Sequence, residues 1–165
     1  MPKVVLALGD DISTDVIYPG RYMATVLPSE TPQFAFADSH EFNDKLRAKQ
    51  IPPGSVIVAG KNFGCGSSRE QAVSALKGYD LTIIARSFAR IFLQNAINLG
   101  LHVVEVPDMQ VAEGDEVEVS EDTVENTTTR KAFAVNRLPK ARQAIIDAGG
   151  LIPYTRHKLM EKVRV

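Results

Sequence analysis

Apolar runs at residues 4–8, 56–59, 81–85 and 102–106 punctuate the first two-thirds of the chain. Valine, isoleucine and leucine dominate them, and they are continuous rather than alternating. That pattern predicts short strands buried on both faces. Between the last three lie two stretches with helical spacing, 68–78 and 88–98. They run out at Gly78 and Gly100, where glycine suits a helix C-terminus. The order strand, helix, strand, helix, strand over 55–106 predicts parallel pairing through crossovers. Ser87 is the expected N-cap of the second helix. Phe88, Ile91 and Phe92 form its apolar face, with Arg90 off that face.

The pattern is weaker elsewhere. Residues 12–17 form a short run that stops at Pro19-Gly20. Residues 21–54 are irregular and carry Pro28, Pro32, Pro52 and Pro53. Within them 34–49 reads as helical, and 38–45 is polar enough to face solvent. Residues 115–120 alternate, with 127–133 as the expected partner strand across Glu125-Asn126. A helix over 139–148 stops at Gly149-Gly150, and a basic tail begins at Tyr154. The fold class is α/β: a parallel β-α-β core over 55–106 with a small β and helix extension, in one domain over 1–165.

Composition narrows the class. The 165 residues are 44% hydrophobic and 24% charged, with a formal net charge of −1. That balance points to neither nucleic acid nor an anionic membrane as partner. Cys65 is the single cysteine, so no internal disulfide forms, and a reducing compartment is favoured. The apolar run at the N-terminus is short for a signal peptide. No run approaches the roughly 18 apolar residues of a membrane span. The expectation is a cytoplasmic protein.

Candidate chemistry concentrates in Gly60-Lys61-Asn62-Phe63-Gly64-Cys65-Gly66-Ser67-Ser68-Arg69-Glu70. It sits where a strand passes into a helix. Gly64 and Gly66 permit positive φ and leave the backbone uncovered. Ser67 or Ser68 is expected to cap the helix, leaving N–H groups outward, where the helix dipole favours an anion. The spacing matches neither a Walker loop nor the dinucleotide fingerprint. A sharp structural connection accounts for the turn alone equally well. Arg69 tips the balance, because arginine in a first helical turn opposes the dipole unless an anion is present. Its fork also matches a carboxylate at two points.

Gly9-Asp10-Asp11-Ile12-Ser13-Thr14-Asp15 is the second cluster. Its aspartates suit a hard metal or an Asx turn with a helix cap, and they lack the calcium-loop pattern. Asp15 is also placed to hold or polarise a hydroxyl or a histidine. His40, His102 and His157 are scattered and make no ligand spacing with Cys65, which reads as a small buried filler.

Together these blocks, with Pro19-Gly20-Arg21-Tyr22, Ala85-Arg86-Ser87-Phe88-Ala89-Arg90-Ile91-Phe92 and Asn95-Ala96-Ile97-Asn98-Leu99-Gly100-Leu101, resemble the small subunit of the isopropylmalate isomerase/homoaconitase group. That subunit is the swivel domain of the aconitase superfamily as a separate chain. The resemblance spans most of residues 9–106, in order. It implies a swivelling β/β/α fold in which 20–54 is the substrate-specificity loop and helix. It implies a hydro-lyase acting on a hydroxy-dicarboxylate, and inactivity without a large subunit in a heterodimer or heterotetramer. That subunit would hold a [4Fe–4S] cluster on three cysteines, its iron acting on the leaving hydroxyl.

By the same resemblance, Ser67 is the base, Arg69 holds a substrate carboxylate and Asp15 supports the site. Gly66 and Ser68 line the anion pocket, and Met23, Ala24 and Thr25 meet the substrate's variable group. Members that accept tricarboxylates carry an arginine where this chain has Ala24. An alkyl-substituted malate is therefore favoured, first 3-isopropylmalate/2-isopropylmalate, as in leucine biosynthesis. A methylmalate or 2,3-dimethylmalate dehydratase fits the same physics, and a homoaconitate-type dehydratase is the less favoured alternative. From another class, a stand-alone carboxylate-binding or regulatory module would reuse the fold without a partner.

Overall fold

The computed structural model describes residues 2–163. Strands β1 (Val4–Ala7), β2 (Val56–Ala59), β3 (Thr82–Ala85) and β4 (Val103–Glu105) form one sheet in the order β1-β2-β3-β4. All its pairings are parallel, with Val56 opposite Thr82 and Ile83 opposite Val103. The reason for continuous apolar runs is visible in the burial. Ile57, Ala59, Ile83 and Ala85 face a helical layer, while Val56, Val58 and Ile84 face a second cluster with Val117 and Val124. A strand covered on both faces has no wet side to mark with polar residues.

The helical layer contains α2 (His40–Arg47), α3 (Glu70–Lys77), α4 (Arg90–Leu99) and α5 (Lys140–Asp147). Their Leu46, Val73, Leu76, Phe92, Ile97 and Ile146 are all buried in one core. At roughly 1.5–3 kcal/mol for each large apolar side chain, this core dominates the fold's stabilisation. The opposite face is closed by a small antiparallel sheet, β5 (Val117–Val119), β6 (Thr123–Asn126) and β7 (Lys131–Ala134), in that order.

Several local expectations are corrected. The hairpin turn expected at Glu125-Asn126 lies at 127–130, and β6 pairs on both edges, so there are three strands rather than two. Asn126 is fully buried. Its Nδ2 donates to Asp115 at 2.8 Å, and its Oδ1 accepts from the Thr128 and Thr129 amides. It shapes the turn from inside the sheet. The helix expected over 34–49 starts only at His40, after a 3-10 turn (Thr31–Phe34) and a reversal with Phe36 at φ +53°. Within the stretch expected to face solvent, Phe42 and Asn43 are buried, and Asn43 donates to Gln33 and Ala35 carbonyls. The basic tail is a helix, α6 (Leu151–Val163), set off from α5 by Gly149 and Gly150 at φ +95° and +123°. Residues 164–165 of that tail lie outside the described residues.

The helix C-terminus at Gly100 has the expected left-handed φ, +78°. Gly78 does not: its φ is −58°, and its need for glycine is space, since a Cβ there would lie 2.3 Å from Pro32. The second crossover helix begins at Arg90 with Ala89 as its N-cap, so Ser87 does not cap it. Ile91 is 54% exposed and leaves the apolar face to Phe88 and Phe92.

Candidate active site

Beyond β2 the chain has little room. A Cβ on Gly60 would lie 1.9 Å from Asp10 Oδ1, the atom that accepts the Lys61 amide at 2.7 Å. Asn62 donates through its amide to Ser87 Oγ and through Nδ2 to Asp11. Asp10 and Asp11 therefore bind the turn to its neighbour. Phe63 is fully buried, edge-on to Phe88 and Phe92. Gly64 has φ +85°, and a Cβ there would lie 2.3 Å from the Phe92 ring. Backbone bonds from Gly64 to Ile12 (2.7 Å) and from Thr14 to Cys65 (2.8 Å) fasten residues 12–14 alongside. The buried Thr14 hydroxyl donates to the Ser67 carbonyl at 3.0 Å.

With the turn held from both sides, its outer face stays open. Ser67 and Ser68 are exposed. Neither caps α3: the N-cap is Arg69, with no side-chain bond, which overturns the capping expectation. Among the described residues the amides of Gly66, Ser67, Ser68, Glu70 and Gln71 donate to nothing. Unpaired donors at the positive end of a helix dipole form a place for an anion. Two serine hydroxyls stand in it.

Helix α1 (Thr14–Ile17), capped by Ser13, carries Asp15 to Arg69. The Arg69 side chain is only 15% exposed, and its Nη1 donates to Asp15 Oδ1 at 2.7 Å and to the Tyr18 carbonyl at 3.3 Å. Its Nε is buried without a partner among the described residues. Gly20 leaves the space that its Nη2 needs, since a Cβ there would lie 3.0 Å away. The Gly20 amide also donates to Asp15 Oδ1, at 2.8 Å. The Arg69 hydrogen bond first, then that amide, hold the Asp15 carboxyl below its usual value of 3.8. Asp15 thus holds an arginine, not the hydroxyl or histidine considered from sequence.

The third part is the segment after Pro19. Gly20–Tyr22 form a 3-10 turn, and the Tyr22 ring stacks on Phe34 at 4.0 Å. Gln71, in the first turn of α3, donates to the Met23 carbonyl at 3.2 Å. This brings the backbone around Met23, Ala24 and Thr25 beside the helix that Arg69 caps. Met23 and Ala24 are exposed and Thr25 half-buried. Val26 and Leu27 beyond them are 64% and 55% exposed. Arg21 pairs with Asp38 and lies over the Tyr22 ring. Gln71 and the buried Tyr18 are the contributors that sequence reasoning missed. A tyrosine hydroxyl needs an acceptor once buried, but burial at position 18 leaves no trace in the local pattern.

Cys65 is half-buried rather than buried. Among the described residues no three histidines, cysteines or acidic residues gather as a metal group, and no helix is long and apolar enough to cross a membrane. A cavity of about 870 Å³ lies at the β4 edge between Val119, Arg137 and Lys140, away from Ser67.

Comparison with known proteins gives a consistent outcome. The Aconitase C-terminal domain family matches residues 13–109. The isopropylmalate/citramalate isomerase small subunit of Methanocaldococcus jannaschii is 43% identical over 95% of this chain and 94% of its own length. The 3-isopropylmalate dehydratase small subunit of Aquifex aeolicus is 44% identical over 96% and 95%. The crystal structure of a 3-isopropylmalate dehydratase from Methanocaldococcus jannaschii superimposes with a TM-score of 0.86 at 38% identity, over 99% of this chain and 98% of that one.

Proposed function

This chain belongs to the Aconitase C-terminal domain family and, within it, to the small subunits of the 3-isopropylmalate dehydratase and isomerase group. From that premise we propose that it supplies the proton-abstracting half of a hydro-lyase active site for an alkyl-substituted malate. The whole chain then acts as one swivel domain, with 20–54 as its specificity segment. The observation that carries the reading is the serine turn: two exposed hydroxyls among unpaired amides, next to an arginine already held in place.

Ser67 is the base in this reading. An ordinary serine hydroxyl is a poor base in water, and nearby donors and positive charge lower the cost of its alkoxide. The Gly66, Ser67 and Ser68 amides and the dipole of α3 provide those donors. The alkoxide takes the proton from the carbon beside a substrate carboxylate, and the electron pair left behind goes into the forming double bond. Arg69 retains Nη2 and Nε beyond the Asp15 contact, and these hold the carboxylate whose charge rises as the proton leaves. Asp15 keeps the guanidinium oriented.

Departure of the hydroxyl needs a group this chain does not contain. A [4Fe–4S] cluster needs several thiolates, and Cys65 is the single cysteine, so the cluster is assigned to a large subunit. That these relatives are named small subunits supports such a partner.

Ala24 carries the substrate reading. A third carboxylate buried against Met23, Ala24 and Thr25 would lack a cation, at a cost of about 1–3 kcal/mol or more. Isopropylmalate is the favoured substrate. The citramalate in one relative's name, a methyl-substituted malate, supports a methylmalate or 2,3-dimethylmalate dehydratase as the second reading. The test is to combine the chain with its large subunit, reconstitute the cluster anaerobically and follow unsaturated acid by absorbance. Isopropylmalate, methylmalate, dimethylmalate and homocitrate form the panel. Turnover of an alkylmalate is expected. Tight carboxylate binding by the chain alone, with no turnover in the complex, would instead favour a stand-alone binding module.

A further inference from the structure

We propose that Tyr18 is the positioning residue that sets the specificity segment relative to Arg69; its bearing on substrate choice rests on the reading of Met23–Thr25 given above. Tyr18 is fully buried, although its hydroxyl is polar. That hydroxyl is 2.9 Å from the Tyr22 carbonyl, to which it donates, and 3.4 Å from the Thr25 carbonyl. The two acceptors flank Met23 and Ala24. One buried hydroxyl therefore draws together both ends of the short stretch that would meet the substrate's alkyl group.

The same residue reaches the other half of the site through its backbone. The Tyr18 carbonyl accepts from Arg69 Nη1 at 3.3 Å, and its amide donates to Thr14 at 2.8 Å, closing α1. Its ring meets Phe34 edge-on at 6.1 Å, and Phe34 in turn stacks on Tyr22. Burial pushes the phenol up from its usual value of 10.0, so it stays protonated and donating through the working pH range. Gln71 provides the second tether, to the Met23 carbonyl from the α3 side. The loop is thus suspended between Tyr18 and α3, and Tyr18 bonds both to the loop and to the arginine head.

A purely structural tyrosine would affect stability and leave substrate ranking unchanged. A positioning one affects ranking. In Tyr18→Phe the ring and its packing remain while the hydroxyl goes. In the isolated full chain, the Met23 and Thr25 amides, bonded to Gly20 and Tyr22 carbonyls, should then exchange about tenfold faster with solvent, with β2 and β3 amides unchanged. In the complex with the large subunit, KM for isopropylmalate should rise several-fold with a smaller change in kcat. The ratio of kcat/KM between isopropylmalate and methylmalate should fall toward one. Unchanged exchange at Met23 and Thr25, or an unchanged ratio in a folded complex, would overturn the proposal. If the wild-type complex turns over none of these acids, the functional reading fails by itself, and amide exchange still decides whether Tyr18 positions the loop. Gln71→Leu, which removes the other tether without touching the core tyrosine, should loosen the same amides and leave Arg69 undisturbed.

Discussion

The serine turn at 63–69 and the segment at 20–38 meet at one site but are built by opposite means. The turn is fixed through its backbone: positive φ at Gly64 and Gly66, no space for a Cβ at Gly64, and a two-bond ladder to residues 12–14. The segment has almost no regular structure. It is held chiefly by single side-chain bonds, Tyr18 to the Tyr22 carbonyl, Tyr79 to the Pro32 carbonyl, Ser74 to Thr31 and Gln71 to Met23. A base needs a rigid mount, because small displacements cost large factors in rate. A surface that selects among alkyl groups tolerates variation, and side-chain tethers allow it to vary without disturbing the mount.

The comparison predicts unequal responses to substitution. Arg69→Lys should have a large effect on chemistry, lowering kcat/KM about 100-fold or more, because a point charge cannot replace the fork. Full retention would mean the arginine is only structural. Gly64→Ala should cost roughly 2–4 kcal/mol of stability, read by denaturant unfolding, from a left-handed β-carbon pressed into Phe92. Insertions near Pro28 should cost far less, and equal costs would break the distinction between rigid and suspended regions. Ala24→Arg should raise relative activity toward a tricarboxylate about tenfold with stability nearly unchanged; an unaltered ranking would remove the segment from substrate selection.

The smallest effect concerns pH. The Asp15 carboxyl is held below 3.8 in the folded chain, so the stability it contributes is complete above that value. It is lost as the pH falls through the depressed value, when Asp15 gains a proton and releases Arg69. Asp15→Asn should remove this acid dependence, and parallel pH–stability curves for the two proteins would contradict it.

The same contrast explains what was legible in the sequence. The parallel core was, because β2 and β3 announce burial on both faces by unbroken apolar character. The turn was legible because glycine spacing and Arg69 have few structural excuses together. The local pattern reads the serines as helix caps, and only the resemblance makes Ser67 the base; in the structure both are exposed and neither caps α3. The segment at 34–49 reads as one helix in the sequence and is not, because helical propensity is weak evidence against a reversal at Phe36 and a buried Asn43 bonded to two carbonyls. The hairpin turn expected at Glu125-Asn126 is displaced for a similar reason. Asn126 resembles a turn residue in sequence, but it is buried in β6 and shapes the following turn with its side chain. Tyr18 and Gln71 were invisible because their partners lie on other elements.

The most direct measurement is the steady-state rate of Ser67→Ala beside wild type, each combined with the large subunit carrying its cluster. Co-purification and denaturant unfolding should first establish that the variant still folds and assembles. Loss of the base predicts a kcat lower by about 10²–10⁴ with KM little changed. A variant that assembles and keeps wild-type kcat would contradict the assignment of the base to this turn.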